Sequence, residues 1–470
     1  MHKIGLYKSN NHPIYLDQTS RFQHLFAIGQ TGTGKSTFLK QSFLRDVYAG
    51  FGACYFDFHG QDAAWLLNHM PRERLDDVVY INPLNPSRVP GYNPLFGVRP
   101  EHHTQMTDEI VGSLRHIFRD SWGPRMDDIL MNAIRPLFDL PPQSQGTLLG
   151  AIRMLNDPVY RRWVLKHCRE KTVLDFWNLE YGQWTKGSQT HDVNSSLNKI
   201  RRFQSSEVLR RVLGQPRPTL NLGTAIERGQ VVLIDCNKWK MGEKNASVLA
   251  ALFLARLIYE ASNRPMPQIN GQPAANLITP FHIYIDEFHS ITTTSTAEAF
   301  SGIRKFRVGI TCCNQFTAQL QPEVLSAILG NVGTKVLFRV GSTDAKALHG
   351  AVEMPEPRHL TELPDYNFVT YFKSGNAMVT KRGVTTPLDA KRHGYQASLL
   401  RRMDSHFNRP IYEIDAAYHR WTESRHYSLI DPPGKGRTQM PARKKHTVKK
   451  KRSGHLRSIG AIMRDRFDLG

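Results

Sequence analysis

Hydrophobic positions cluster along this chain into seven short, near-continuous runs: HLFAIG (24–29), ACYFDF (53–58), DVVYIN (77–82), VVLIDC (231–236), FHIYID (281–286), VGITCCN (308–314) and KVLFRV (335–340). Strands that are apolar on both faces belong inside a sheet covered on each side. Polar-and-apolar stretches with helical spacing separate them, for example 36–48 and 245–261. Alternation of this kind predicts an α/β fold built on a central, mostly parallel sheet.

Between about Glu101 and Gln215 the strand pattern vanishes. MTDEIVGSLRHIF, MDDILMNAIRPLF, PVYRRWVLKHC and LNKIRRFQ carry apolar residues three to four apart, which predicts an inserted helical domain. Its tryptophans, Trp122, Trp163, Trp177 and Trp184, can form either a stacking surface for nucleic acid or a core. The core is the preferred expectation, because large rings in a small helical bundle are usually buried. A Pro-, Asn- and Gln-rich stretch from Arg264 to Pro280 reads as a surface loop. FVTYF and AMVTKR around Ser374-Gly375-Asn376 read as a hairpin.

Composition adds a soluble globular class and a strong positive charge. The longest apolar stretch, Val248–Tyr259, is interrupted by Arg256 and is shorter than the roughly 20 residues of a bilayer span. The first residues lack the apolar region of a secretory signal, and Cys54, Cys168, Cys236, Cys312 and Cys313 have no metal-ligand spacing. The expected location is therefore the cytoplasm. Of the net charge of +21, the tail 433–470 carries +10 and the remainder +11. A polyanion suits both parts, since lysine and arginine along phosphates gain affinity by counterion release. For the tail alone, a merely solvating role is the plain alternative. It is expected to stay disordered until something acidic orders it.

GQTGTGKST supplies the first chemistry. It fits G-x-x-x-x-G-K-[ST] in full, after an apolar run and before STFLKQSFLRDVY. The segment Gly29, Gln30, Thr31, Gly32, Thr33, Gly34, Lys35, Ser36 and Thr37 is predicted to cradle the phosphates of ATP. Its glycines allow a tight loop with inward-facing amides, and the following helix adds its positive end. Lys35 is expected at the β and γ phosphates, and Ser36 on Mg²⁺. FHIYIDEF ends a second strand with Asp286, placed to hold the Mg²⁺ shell, and Glu287, placed to polarise the attacking water. An Asp-Glu pair at a strand end can also cap a helix, but beside a P-loop the hydrolytic reading is preferred. VGITCCNQ ends a third strand with Asn314 and Gln315, amides suited to sensing the γ-phosphate or to turning the chain. Arg304, in SGIRKFRVGIT, is a candidate arginine finger for a neighbouring subunit, or a partner of a helix end.

With these motifs placed, the sequence resembles the HerA/FtsK branch of P-loop motors, and within it the TraG/TraD-like conjugative coupling proteins of type IV secretion. The resemblance extends to DFHG at Asp57–Gly60, to PRERLDDVVYINPLNPSRVPGYNPL at Pro71–Leu95 and to the stretch from Arg304 to Ala345. It covers most of residues 20–390. It implies a RecA-like ATPase core, Lys35 and Ser36 as nucleotide and metal contacts, Asp286 and Glu287 as the acidic pair, Gln315 as sensor and Arg304 as the intersubunit arginine. Asp57 and Arg339 sit in similar segments. Family members form hexameric rings around DNA, gripping its phosphate backbone without sequence preference.

The implied organisation is a first core part (1–100), a helical insertion (101–220), a second core part (221–395), a C-terminal extension (396–432) and the basic tail (433–470). Membrane-anchored coupling proteins begin with transmembrane helices, whereas this P-loop starts 28 residues after Met1. The expectation is therefore either a DNA translocase of conjugative transfer, recruited to the membrane by a relaxase or by secretion components, or a HerA-like cytoplasmic translocase. Two readings of other classes stay open: a protein-secretion or pilus motor, and a nucleotide-gated DNA scaffold.

Overall fold

The structure is a computed structural model that describes residues 1–423 apart from 270, 293–299, 301 and 387–389. The basic tail predicted for 433–470 lies outside the described residues. The described residues fall in one compact unit.

All seven apolar runs are strands, and they are the seven consecutive members of one sheet. In order they are Thr334–Leu337, Leu25–Ile28, Val308–Asn314, Phe281–Ile285, Gly52–Asp57, Val231–Asp235 and Val78–Ile81. Every pairing among them is parallel, and every residue in them is buried. The sheet continues beyond Thr334–Leu337 through four antiparallel strands, Asn367–Ser374, Ala377–Val384, His2–Tyr7 and Pro13–Leu16. The expected hairpin is the first two of these, turning at Gly375 with φ +61°.

Successive side chains of a strand point to opposite faces, and two hydrophobic clusters follow from this. Leu25 and Ala27 join the cluster that holds Phe38, Phe43 and Val47 of the helix Lys35–Tyr48. Phe26 and Ile28 join the other cluster, with the long helix Glu243–Ser262 and the helices between His103 and Leu213. The helical insertion therefore shares its core with one sheet face. Among the described residues no strand lies between Arg88–Pro90 and Val231–Asp235. Trp177 is buried and donates its indole N–H to the Asn132 carbonyl at 3.0 Å. Trp122, Trp163 and Trp184 pack half-buried against the same cluster, so the rings form core, as expected.

The loop before Phe281 carries a two-residue ladder, Gln268–Ile269 with Gln272–Pro273. Among the described residues no helix is long and apolar enough to cross a membrane.

Candidate nucleotide site

The P-loop strand Leu25–Ile28 lies between Thr334–Leu337 and Val308–Asn314, and Phe281–Ile285 follows next. Parallel pairing puts the C-terminal ends of these strands on one edge, where α/β sheets bind ligands. Gly29, Asp286 and Gln315 therefore emerge side by side. Backbone bonds tie the loop to both neighbours: Gly29 N–H donates to the Asn314 carbonyl at 3.3 Å and Gln30 N–H to the Arg339 carbonyl at 2.8 Å.

The loop itself depends on its glycines. Gly32 and Gly34 have φ of +82° and +109°, the region that L side chains avoid. A Cβ on Gly34 would stand 2.9 Å from Tyr366 Cδ1, and Tyr366 N–H donates to the Thr33 carbonyl at 2.9 Å. Within the turn, Thr33 N–H and Oγ1 both donate to the Gln30 carbonyl, at 3.4 and 2.7 Å. Among the described residues the amides of Thr31, Gly32 and Gly34 donate to no protein acceptor. Free amides at the start of the fourteen-residue helix Lys35–Tyr48 fit an anionic phosphate chain. Lys35 is buried, with Nζ 2.8 Å from the Gln30 carbonyl. Burial pulls its pKa down, against the pull of Cys313, Asp286 and Glu287. Thr37 lies in the first turn of the helix, half-buried.

Ser36 Oγ donates to Asp286 Oδ2 at 2.9 Å. One hydroxyl beside one carboxylate suits Mg²⁺, which takes few protein oxygens and keeps its waters. Burial raises the Asp286 pKa, Glu287 and Asp62 raise it further, and Ser36 and Lys35 oppose them.

Glu287 is buried and sits in the left-handed region at φ 55°, an uncommon conformation for glutamate that often marks a functional site. Gln315 Nε2 donates to its Oε1 at 2.8 Å. Gln315 Oε1 in turn faces Thr31 Oγ1 at 3.4 Å, so one amide spans the P-loop and the acidic pair. Three further groups surround the carboxylate: His59 Nε2 at 3.7 Å from Oε1, and Lys238 Nζ and His289 Nε2 each at 3.6 Å from Oε2. Burial pushes its pKa up, but His59, Lys238, His289 and Gln315 outweigh it and hold it at about 2.

His59, Lys238 and His289 were not singled out by the sequence reading. His59 and Lys238 follow the strands Gly52–Asp57 and Val231–Asp235, whose ends carry no motif of the P-loop kind. Their position just past the C-terminal end of a buried parallel strand is the signal that was available. Asp57 does not face Glu287. Its carboxylate accepts from the amides of His59, Gly60 and Ala63 at 2.7–2.9 Å, which fixes the turn that carries His59. Burial raises its pKa to about 6. Arg339 lies beside the loop, paired with Asp365 at 2.7 Å.

Arg304 does not join this group. It is exposed in the turn Arg304–Phe306, before Val308 begins the strand that ends at Asn314. Seven residues of strand, about 23 Å at 3.3 Å each, separate it from its own P-loop edge.

No protein-family model matches this sequence, and no curated protein does. Solved structures do match. The bacterial conjugative coupling protein TrwBdeltaN70 superposes with a TM-score of 0.61 at 13% identity, over 84% of this chain and 90% of that one. The fold is that of TrwB. TrwB in complex with ADP and Mg²⁺ matches with a TM-score of 0.59 at 14% identity, covering 83% of this chain and 91% of the other. VirB4 of Thermoanaerobacter pseudethanolicus gives 0.53 at 14% identity, over 82% and 96%. Likeness at such identities establishes architecture, and function has to be argued from the site.

Proposed function

We propose that this chain is an ATP-hydrolysing motor of the coupling-protein kind, which moves DNA in conjugative type IV secretion. The observation that carries the proposal is the chain of contacts Ser36–Asp286 and Thr31–Gln315–Glu287, which joins a P-loop to an acidic pair across the intervening strand Val308–Asn314. Loop amides and Lys35 would hold the triphosphate. Ser36 and Asp286 would hold Mg²⁺, which when bound supplies charge neutralisation at the phosphates. Glu287, ionised and aimed by Gln315, would orient the attacking water.

The likeness to TrwB, whose structures include complexes with ADPNP and with ADP and Mg²⁺, supports the nucleotide part of this reading. The charge of +11 outside the tail supports a polyanionic substrate over a polypeptide one. In this reading residues 1–100 and 221–395 are the motor core, 101–220 its helical insertion and 396–432 an extension. Six copies would form a ring in which Arg304, remote from its own P-loop, reaches the γ-phosphate held by a neighbour. A relaxase or membrane components of the secretion apparatus would be its partners.

The test is the ATPase rate of the full chain with and without single- and double-stranded DNA at two salt concentrations, beside Glu287→Gln and Arg304→Ala. The expected result is a DNA-stimulated, salt-sensitive rate that both substitutions abolish. No stimulation by either DNA, with Arg304→Ala unaffected, would overturn the DNA motor in favour of a polypeptide motor or a scaffold.

A further inference from the structure

Six of the seven tryptophans are buried or half-buried, and the seventh is not. Trp239 is 78% exposed. It sits in the one-turn helix Lys238–Met241, immediately after the strand Val231–Asp235, in the sequence KWKMGEK (238–244) with three lysines against one acid. Among the exposed large apolar side chains of the described residues only Met1 is more exposed, and tryptophan, an apolar ring with one polar edge, is enriched where proteins meet partners.

The ring is presented by a rigid support. The Asn237 side chain accepts from the amides of Trp239 and Lys240 at 3.0 and 3.2 Å. Lys238 N–H donates to the Phe58 carbonyl at 3.0 Å. Asn237 packs so closely on Gly60 that a Cβ there would meet its Nδ2 at 2.1 Å, and Gly60 has φ +75°. Asp235, buried behind, accepts from Asn237 N–H at 3.1 Å and from Tyr80 Oη at 2.9 Å. Nothing in this support requires an exposed indole.

The same turn touches the reaction site. Lys238 Nζ is 5.8 Å from the centre of the Trp239 ring and 3.6 Å from Glu287 Oε2. One ammonium therefore lies between the exposed ring and the carboxylate that would orient the water.

We propose that the Lys238–Met241 turn is a contact for single-stranded nucleic acid, with Trp239 stacking on a base and Lys238 and Lys240 meeting the flanking phosphates. The inference rests on the motor reading and names where its substrate reports to its chemistry. A base offers its face to a ring only when unstacked, so the single strand is the fitting partner. Phosphate drawn to Lys238 competes with Glu287 for the ammonium, so strand binding changes the surroundings of the hydrolytic carboxylate. Hydrolysis and grip are thereby coupled within one subunit.

The experiment compares the full-length wild type with Trp239→Ala, Trp239→Phe and Lys238→Gln. Binding of fluorescein-labelled oligothymidylate is followed by anisotropy, and ATPase rate is read with and without unlabelled oligothymidylate. Trp239→Ala is expected to bind roughly tenfold or more weakly, to lose its stimulation by the strand, and to keep its strand-free rate. Trp239→Phe is expected to retain both binding and stimulation, and to lose the tryptophan quenching expected of the wild type on adding the strand. Lys238→Gln is expected to bind severalfold more weakly, having lost one phosphate contact, and to show no change of rate even when saturated with the strand. Unchanged binding and stimulation in Trp239→Ala, in a wild type that responds to DNA, would overturn this inference and leave the motor reading standing. Collapse of the strand-free rate in Trp239→Ala would mark the ring as a protein contact and overturn it equally. A wild type that hydrolyses ATP but neither binds nor responds to any strand would overturn both.

Discussion

Gln315 Nε2 lies 2.8 Å from Glu287 Oε1, across the ends of two neighbouring parallel strands. The amide therefore fixes where the carboxylate points, and Thr31 at 3.4 Å ties the amide to the P-loop. Glu287→Gln should slow ATP hydrolysis on the order of a hundredfold or more, and Gln315→Ala by about tenfold. ATP affinity, measured by calorimetry, should change little in either. A loss of affinity that parallels the loss of rate in Gln315→Ala would instead make it a support of the loop.

His59 gives the Glu287 contact a pH signature. The approach of Glu287 raises the His59 pKa above its usual 6.5, and burial works against it. The contact is thus complete at pH below about 6.5 and fades as pH climbs through the raised value. Proton NMR of the His59 ring should give a midpoint above 6.5 in the wild type, falling back in Glu287→Gln. An identical midpoint in both chains would rule the pairing out.

Gly34 combines a φ of +109° with a wall at Tyr366. Gly34→Ala should therefore lose at least tenfold in ATP affinity, since a left-handed side chain costs about 1–2 kcal/mol before the clash is counted. Fluorescent-nucleotide titration reads this directly. An unchanged dissociation constant would mean that the loop can rebuild around a side chain.

Three buried histidines set an acid limit on stability. His2, His24 and His282 are held neutral, burial being the main cause, with pKa values near 4, 4 and 3. Asp46, which pairs bidentately with Arg21 at 2.7 and 3.1 Å, lies beside His2 and His282 without reversing this. Unfolding lets each histidine take a proton below its ordinary 6.5, so stability falls as pH drops from there toward about 4. Each contributes about 1.4 kcal/mol per pH unit at the steepest. Tm should decline markedly between pH 6.5 and pH 5, and less steeply in His282→Asn. A flat profile over that window would contradict the assignment.

Much of this molecule was legible in the order of its residues. Seven fully buried strands must be apolar on both faces, so each left a run that neighbouring segments could not hide. The P-loop was legible for a related reason: a tight phosphate turn needs glycines at fixed offsets and a lysine and hydroxyl directly after them. Asp286, Glu287 and Gln315 each follow such a strand, so their presence on the same edge followed once the strands were adjacent.

His59, Lys238 and His289 were not legible in that way, although each stands within 3.7 Å of Glu287. His289 stands two residues past the acid without belonging to its motif, and His59 and Lys238 share no spacing with it at all. His59 and Lys238 come from strands that precede it by more than two hundred and by almost fifty residues. Only the strand order places Gly52–Asp57 next to Phe281–Ile285, with Val231–Asp235 beyond it, and so brings His59 and Lys238 to the carboxylate that His289 already neighbours in the chain. Arg304 illustrates the converse. Its sequence lies just ahead of the strand Val308–Asn314, and the fold leaves it at the end of that strand away from the P-loop. Residue order marks which side chains could do chemistry, because burial and backbone geometry restrict residue types locally. Tertiary structure alone decided which of them meet, because charges act through distances of a few ångströms that only the packed sheet establishes.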